Sequence, residues 1–540
     1  MNCTLIRDLF LAGLASSALL ACGGEPTLGD VIDGRAEVTG QGVLVIAIDG
    51  LRWDHTSLAG YDRNTTPFLA KLADQGISFS DAWSATPSLV GSHLALLSGS
   101  DPSLAQPPTS FRRAQDPESR EEEAWFVPED LPLLGALFLS KGWNTAAFVD
   151  DPMIAELRGF SAGFRSFVEF GGDPLKEERS IGVFGVGGRF VRWVNKRPLD
   201  EDWFAYLHMH DLERTWTPAG NVTKTRGVEE ATANWLPRQE LRYSPPLGVT
   251  EPLFHVLPPS RASVIHGITM GQYELRYDRG LRALDANLAR IIGHMDEFGR
   301  ADEVTVVIVG SFGTELGEHG LYLQAGLAEE EDLRVPLVIR PSAALRKKLG
   351  WEAPSDGAPG RTSEALASLL DVAPTLVDLF DLPATGRMQG LPLSPAMTGK
   401  NEGVRRRLFA SAPMCAGSAV VEKGGVLTLY RPDRIPQSLR RSWGIGPPVA
   451  DGTPGSLDRT LTHLRGRPNL RSGLNGTPLS SAGEGRDAAR EASLEALLAA
   501  QSSWESLLLR ERTALHFGGE DSDRPSIGEF RALQQASSLD

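Results

Sequence analysis

From residue 42 onward, short apolar runs alternate with longer amphipathic ones, and that alternation leaves the chain few architectures. "GVLVIAID", "NTAAFVD", "DWFAYLHMHD", "VTVVIVGS" and "VPLVIR" are rich in Val, Ile, Ala, Leu and Phe. Near-continuous apolar character means burial on both faces, as in the strands of a mostly parallel sheet. Between them, "TTPFLAKLADQG" carries helix signals: Thr66 suits an N-cap, Pro67 the first turn and Gly76 the C-terminal stop. "LPLLGALFLSKG", the long "GQYELRYDRGLRALDANLARIIGHMDEFG" and "SEALASLLDVAPTLVDLFDL" also read as helical. Strand and helix alternating over roughly 350 residues predict an α/β sandwich.

A chain of 540 residues is too long for one core, because domains split beyond about 250–300 residues. The composition shifts near residue 404, which predicts a large domain over 42–403 and a smaller α+β subdomain over 404–540. In the latter, "AVVEKGGVLTLYRP" reads as a hairpin and "ASLEALLAAQSSWESLLLRERT" as a helix. Residues 101–128 and 219–262 read as surface loops, the second with no clear period. The net charge of -15 argues against a nucleic-acid binder, since phosphate-rich partners need basic surface. Residues 431–471 hold eight Arg, no Lys and three Asp. They read as solvated surface balancing the acidic domain, with an anion-binding rim as the alternative.

At the N-terminus Arg7 precedes an apolar run, Leu9 to Ala21, that is too short to span a bilayer and fits a secretory signal. Its end, "LLACGG", resembles a bacterial lipobox in which Cys22 becomes the lipidated first residue; an ordinary signal cleaved nearby is the alternative. Residues 1–22 are then the signal and 23–41, Gly-rich and polar, a tether. Cys3 would be removed, leaving Cys22 and Cys415, so a lipidated Cys22 leaves no internal disulfide. The expected location is the bacterial cell envelope, with a lipid anchor as the membrane contact and the domain facing the periplasm or the surface.

Ligands of parallel sheets bind beyond the carboxyl ends of the strands. There the chain places Asp49 followed by "GLRWDHTSLAGYDRNTTPFLAKLADQG", then "SATPSLVGSHLALLSG", "LHMHDLERTWTP" and "GSFGTELGEHG". In order and spacing this series resembles the sulfatase and phosphonate-hydrolase branch of the alkaline-phosphatase superfamily, from about residue 42 to about 400. "DLPLLGALFLSKGWNTAAFVDD", "DLRVPLVIRP" and "LLDVAPTLVDLFDLPATGRMQGLPL" extend the likeness. The resemblance implies an alkaline-phosphatase-like three-layer sandwich and a divalent cation at the sheet's carboxyl edge. It also implies a Cys-derived formylglycine, Ser or Thr nucleophile on a strand-to-helix turn. An Asp after the first strand and a later Asp-His pair hold the metal, and a His in D-P-H-x-P-Y holds substrate oxygens.

Carried over position by position, Asp49 keeps the first metal-ligand position, and a carboxylate there is what a hard cation requires. The nucleophile position falls on Leu89, with Ser92 and His93 in the places of a Ser-His or Ser-Arg pair. The Asp-His pair becomes Ser311 and Phe312. Asp211 is kept, while the substrate-holding His becomes Glu213. A register shifted by one residue would put Ser88 at the nucleophile position, but one step at a helix start rotates a side chain by about 100°. No shift supplies an Asp or His near Ser311; the nearest candidates are Glu315, Glu318 and His319, which read as pocket lining. Asp54 and His55 read as structural.

His208 and His210 stand near the end of one strand, and one imidazole is expected on each face of the sheet. They are either hydrogen-bonded core histidines or part of a site with Asp49 and His93. The chain is thus expected to have lost ester hydrolysis, to carry no cofactor, and to keep a pocket for a glycan, lipid head group or protein. The alternative is an active sulfuric or phosphoric ester hydrolase. It would use Ser88 or Ser92 as nucleophile, with Ca, Mn or Zn among Asp49, Glu315, Glu318 and His319. A purely structural envelope protein, with no ligand-sized cavity near Asp49, is a further possibility.

Overall fold

The structure is a computed structural model. It describes residues 40–105, 127–128, 131–170, 182–214, 227–236, 270–297, 300–316, 328–351, 360–399, 405–412, 417–422, 425–430, 461–466, 496, 499–511 and 524–536. The signal segment, Cys22, the tether up to residue 39, Glu318, His319 and most of 431–471 lie outside the described residues.

Strand β1 (Gly42–Ile48) is the middle of an eight-stranded sheet ordered β5-β4-β6-β1-β7-β8-β2-β9. It pairs in parallel with β6 (Trp203–Met209) and β7 (Val304–Gly310), with Gly42 opposite both Trp203 and Val304. β4 (Asn144–Val149) and β5 (Ser166–Glu169) continue the parallel order on one side. On the other side β8 (Leu337–Arg340) runs antiparallel to both of its neighbours, β7 and β2 (Ile77–Phe79), and β9 (Arg361–Ser363) is parallel to β2. The expected mostly parallel α/β sheet is present.

The two faces of β1 feed different cores, because successive side chains point to opposite sides of a strand. Val43, Val45 and Ala47 join one cluster with helices α2 (Leu89–Ser98), α3 (Leu134–Ser140) and α6 (Val372–Leu379). Leu44, Ile46 and Ile48 join another with α1 (Pro67–Asp74), α4 (Gly182–Val194) and α5 (Met270–Glu297). All seven residues of β1 are buried. Helix, sheet and helix make the three layers.

Two local expectations are corrected. Thr66 occupies the N-cap of α1 but its side chain makes no capping bond. Instead Asp285, on the neighbouring helix α5 of the same layer, accepts from Phe68 N and Leu69 N at 2.9 Å each. A tertiary carboxylate does what the local hydroxyl does not, with the favourable polarity of an acid at a helix N-terminus. The stretch "SEALASLLDVAPTLVDLFDL" is not one helix. Ala367–Ser368 forms a short strand, β10, paired with β3 (Ala82–Trp83). A capping box between Ser368 and Asp371 then opens the turn that leads into α6. Within 219–262, residues 228–231 form a helical turn.

The hairpin expected after residue 404 is β12 (Gly417–Glu422) with β13 (Gly425–Tyr430), inside an antiparallel sheet completed by β11 (Arg407–Ala412) and β14 (Leu461–Gly466). One face packs Leu408, Ala410 and Val421 against Trp83 and Leu333. The other packs Phe409 and Val420 against Trp504 and Phe530 from the C-terminal helices.

Candidate functional site

β1, β6 and β7 end at the same edge of the sheet, so the residues that follow them meet. Asp49, directly after β1, is fully buried. Its Oδ1 lies 2.9 Å from His93 Nε2 of α2 and accepts the hydroxyl of Ser311, which follows β7. Its Oδ2 lies 2.6 Å from His208 Nε2 and 2.8 Å from His210 Nδ1. Three imidazoles and one hydroxyl therefore converge on one carboxylate.

The second ring nitrogens decide where the protons sit. His208 Nδ1 faces the backbone N–H of Asp150, at the end of β4, at 3.3 Å. That N–H can only donate, so Nδ1 presents its lone pair and Nε2 carries the proton toward Asp49. His93 Nδ1 meets the hydroxyl of Tyr206. Burial holds that phenol well above its ordinary pKa, and His93 Nε2 faces the Asp49 carboxylate, which can only accept, so Nε2 carries the proton. His210, whose side chain is 19% exposed, has Asp151 at 3.8 Å from its outer nitrogen.

Burial opposes a charge on Asp49, but the imidazoles of His208 and His93 and the hydrogen bonds hold its carboxyl well below the usual carboxylate range. Burial keeps His93 below its ordinary value. Burial also pulls on His210, yet the bond to Asp49 and the charges of Asp49, Asp151 and Glu213 outweigh it and raise the group to about 9. Glu213 is pushed up to about 7 by burial, with His210 opposing and Asp49 adding to the rise. Gly50 has φ +69, and a Cβ there would lie 2.6 Å from Glu213 Oε1. A side chain at residue 50 would therefore be strained and would collide with that carboxylate. Glu213 Oε1 is a buried oxygen with no hydrogen-bond partner among the described residues.

Structure and expectation part company at the histidines. His208 and His210 do not take opposite faces: residues two apart along a strand point to the same side, so both imidazoles turn to the same carboxylate. Ser88 and Ser92, the candidate substitute nucleophiles, serve the helix. Ser88 is the N-cap of α2, accepting from Gly91 N, and Ser92 Oγ donates to Leu89 O at 3.1 Å. Leu89 packs against the core shared by α2, α3 and α6. Asp211 accepts from Val183 N at the start of α4. Phe312 and Glu315 are buried. Arg52 holds Asp54 through two bonds of 2.9 and 2.7 Å, and His55 Nδ1 lies 2.8 Å from Asp278 of α5. The sequence reading missed Tyr206, Asp150 and Asp151. Tyr206 stands two residues before His208 on the same strand face, and "FVDD" ends a strand, so both signals were present.

Two expected outcomes follow from this geometry. Ser311→Ala removes one donor from a buried charge and should cost about 1.5–3 kcal/mol, read by urea unfolding. Glu213 has a folded pKa above its unfolded one, so its burial costs little at pH 4 and most above pH 7. Glu213→Gln should therefore raise stability by about 1–3 kcal/mol above pH 7 and leave it nearly unchanged at pH 4.

Asp49, His208 and His210 each offer an atom within 4.8 Å of the others, the spacing of a metal group. The proton positions fit a cation poorly. A metal-bound imidazole donates its outer N–H, whereas the outer nitrogen of His208 accepts one.

A sulfatase family model matches residues 41–173 and 186–382, more than half of the chain. The N-acetylglucosamine-6-O-sulfatase of Bacteroides thetaiotaomicron is 30% identical over 132 residues, 24% of this chain and only 21% of that relative's length. A sulfatase of Formosa agariphila is 23% identical over 401 residues, 69% of this chain and 75% of that one. The phosphonate monoester hydrolase of Agrobacterium radiobacter superposes with a TM-score of 0.51 at 15% identity, covering 79% of this chain and 89% of that one. With the parallel sheet, the strand-end Asp49 and this match, the chain belongs to the sulfatase family of the alkaline-phosphatase superfamily.

Proposed function

We propose that this sulfatase-family protein is a lipid-anchored component of the bacterial envelope that binds a ligand at the old ester site and does not hydrolyse it. The observation that carries the reading is Leu89. It opens α2 at the position where the family resemblance puts the nucleophile, and its side chain packs on the core. A hydrocarbon has no lone pair to attack a sulfur or phosphorus centre. Ser88 and Ser92 are poor substitutes, because among the described residues neither hydroxyl is hydrogen-bonded to a general base. Glu213 adds to this: a carboxylate at the position of the family's substrate-holding His repels an anionic ester, which favours an uncharged ligand such as a glycan or a protein segment. The "LLACGG" segment supports the anchor, and among the described residues no helix is long and apolar enough to cross a membrane.

The test is turnover by the purified protein of 4-nitrophenyl sulfate, phosphate and phenylphosphonate, with and without added Ca, Mn or Zn. No hydrolysis above a heat-denatured control is expected. Steady turnover that disappears in Ser88→Ala or Ser92→Ala would instead establish the rearranged hydrolase.

A further inference from the structure

We infer that the family's divalent cation has been replaced at Asp49 by protons on His93, His208, His210 and Ser311, so that the site keeps its shape without a metal. The inference deepens the non-hydrolytic reading and is tested separately from it.

A carboxylate offers about four lone-pair directions, and all of Asp49's are taken. Oδ1 receives His93 Nε2 and Ser311 Oγ, and Oδ2 receives His208 Nε2 and His210 Nδ1. The nitrogens sit at 2.6–2.9 Å, which is the range of a charge-assisted hydrogen bond. Each must present a proton, because a ring lone pair aimed at a carboxylate at that distance is repelled. For His208 the assignment is independent of Asp49. The Asp150 N–H occupies Nδ1, so Nε2 has no lone pair to give a cation unless the ring loses its last N–H proton. For His93 the Tyr206 hydroxyl can donate or accept, so its Nε2 proton follows from the facing Asp49 carboxylate, which only accepts. Even the residue at the lost Asp position is enlisted, since Ser311 is completely buried and spends its hydroxyl on Asp49. Its carbonyl in turn accepts from Ser84 Oγ at 2.6 Å, which fixes the loop.

The other acid–imidazole group among the described residues, His55, Glu274 and Asp278, is closed in a related way. Arg63 bridges Glu274 and Asp278, and Tyr61 donates to both at 3.0 and 2.9 Å. There a guanidinium already supplies the positive charge that a cation would bring.

The experiment uses the purified full chain, as isolated and after dialysis against Ca, Mn or Zn, and reads three quantities. Elemental analysis should find no stoichiometric metal. The melting temperature should be the same in EDTA and in each cation. Long-range proton–nitrogen spectra should show His93 and His208 protonated on Nε2, unaltered by the metals. Stoichiometric metal that is lost in His208→Gln, a melting temperature raised by a cation, or His208 protonated on Nδ1 would each overturn the inference. If His208→Gln does not fold, His210→Gln serves as the binding control. Metal without turnover would sink this inference and leave the non-hydrolytic function standing. Turnover without metal would do the reverse.

Discussion

Asp49→Ala is expected to destabilise the protein by about 3–5 kcal/mol at pH 7, the cost of leaving buried charge and donors without their partner. Asp49 is fully buried, and three imidazoles and the Ser311 hydroxyl depend on it. The pH dependence identifies the source. Asp49 has a folded pKa below its unfolded one, so its contribution is present above about pH 4 and is lost as pH falls toward the folded value. His210 is raised to about 9, so its contribution is complete below about pH 6.5 and is lost as pH rises through 9. The gap between wild type and Asp49→Ala in urea unfolding should therefore be widest near pH 6 and should shrink toward pH 10. A gap independent of pH would mean that packing, not the ion cluster, carries the effect.

Arg405→Ala should produce a loss of similar size, about 3–5 kcal/mol, at the junction between the sandwich and the smaller sheet. The Arg405 side chain is 1% exposed and bonds to Asp371, which is 0% exposed. Asp371 also accepts Leu391 N and Ser368 N at 2.7 Å each, so it holds three chain segments together. Burial pushes its carboxyl up, and the Arg405 charge works against that rise. Without the guanidinium the carboxylate is left charged in the core. Replacing both partners removes the stranded charge, so Asp371→Asn with Arg405→Met should recover much of the loss. A double-mutant cycle in urea that shows simple additivity would refute this account.

The strands and the long helix were legible because their signals are local. β1, β6 and β7 announce themselves as apolar runs, and their ends mark the sheet edge where ligands bind. The cap of α1 was not legible, since Asp285 lies more than two hundred residues beyond Phe68 in the chain and no local spacing connects them. The convergence of His208 and His210 was legible, because residues two apart along a strand share a face; the expectation of opposite faces misapplied that alternation.

The amino-acid order alone determined the family, the strand-end position of Asp49 and the identities of Leu89, Ser311 and Phe312. Those are statements about which atoms are available, and no folding changes them. Only the tertiary structure decided what Asp49 does. Its partners come from α2, β6, the turn after β6 and the segment after β7, and the proton on His208 is set by a backbone N–H at the end of a further strand, β4. Hydrogen-bond direction depends on which groups face each other in space, and five separate stretches of chain must meet before the Asp49 carboxylate receives its four hydrogen bonds and His208 its tautomer.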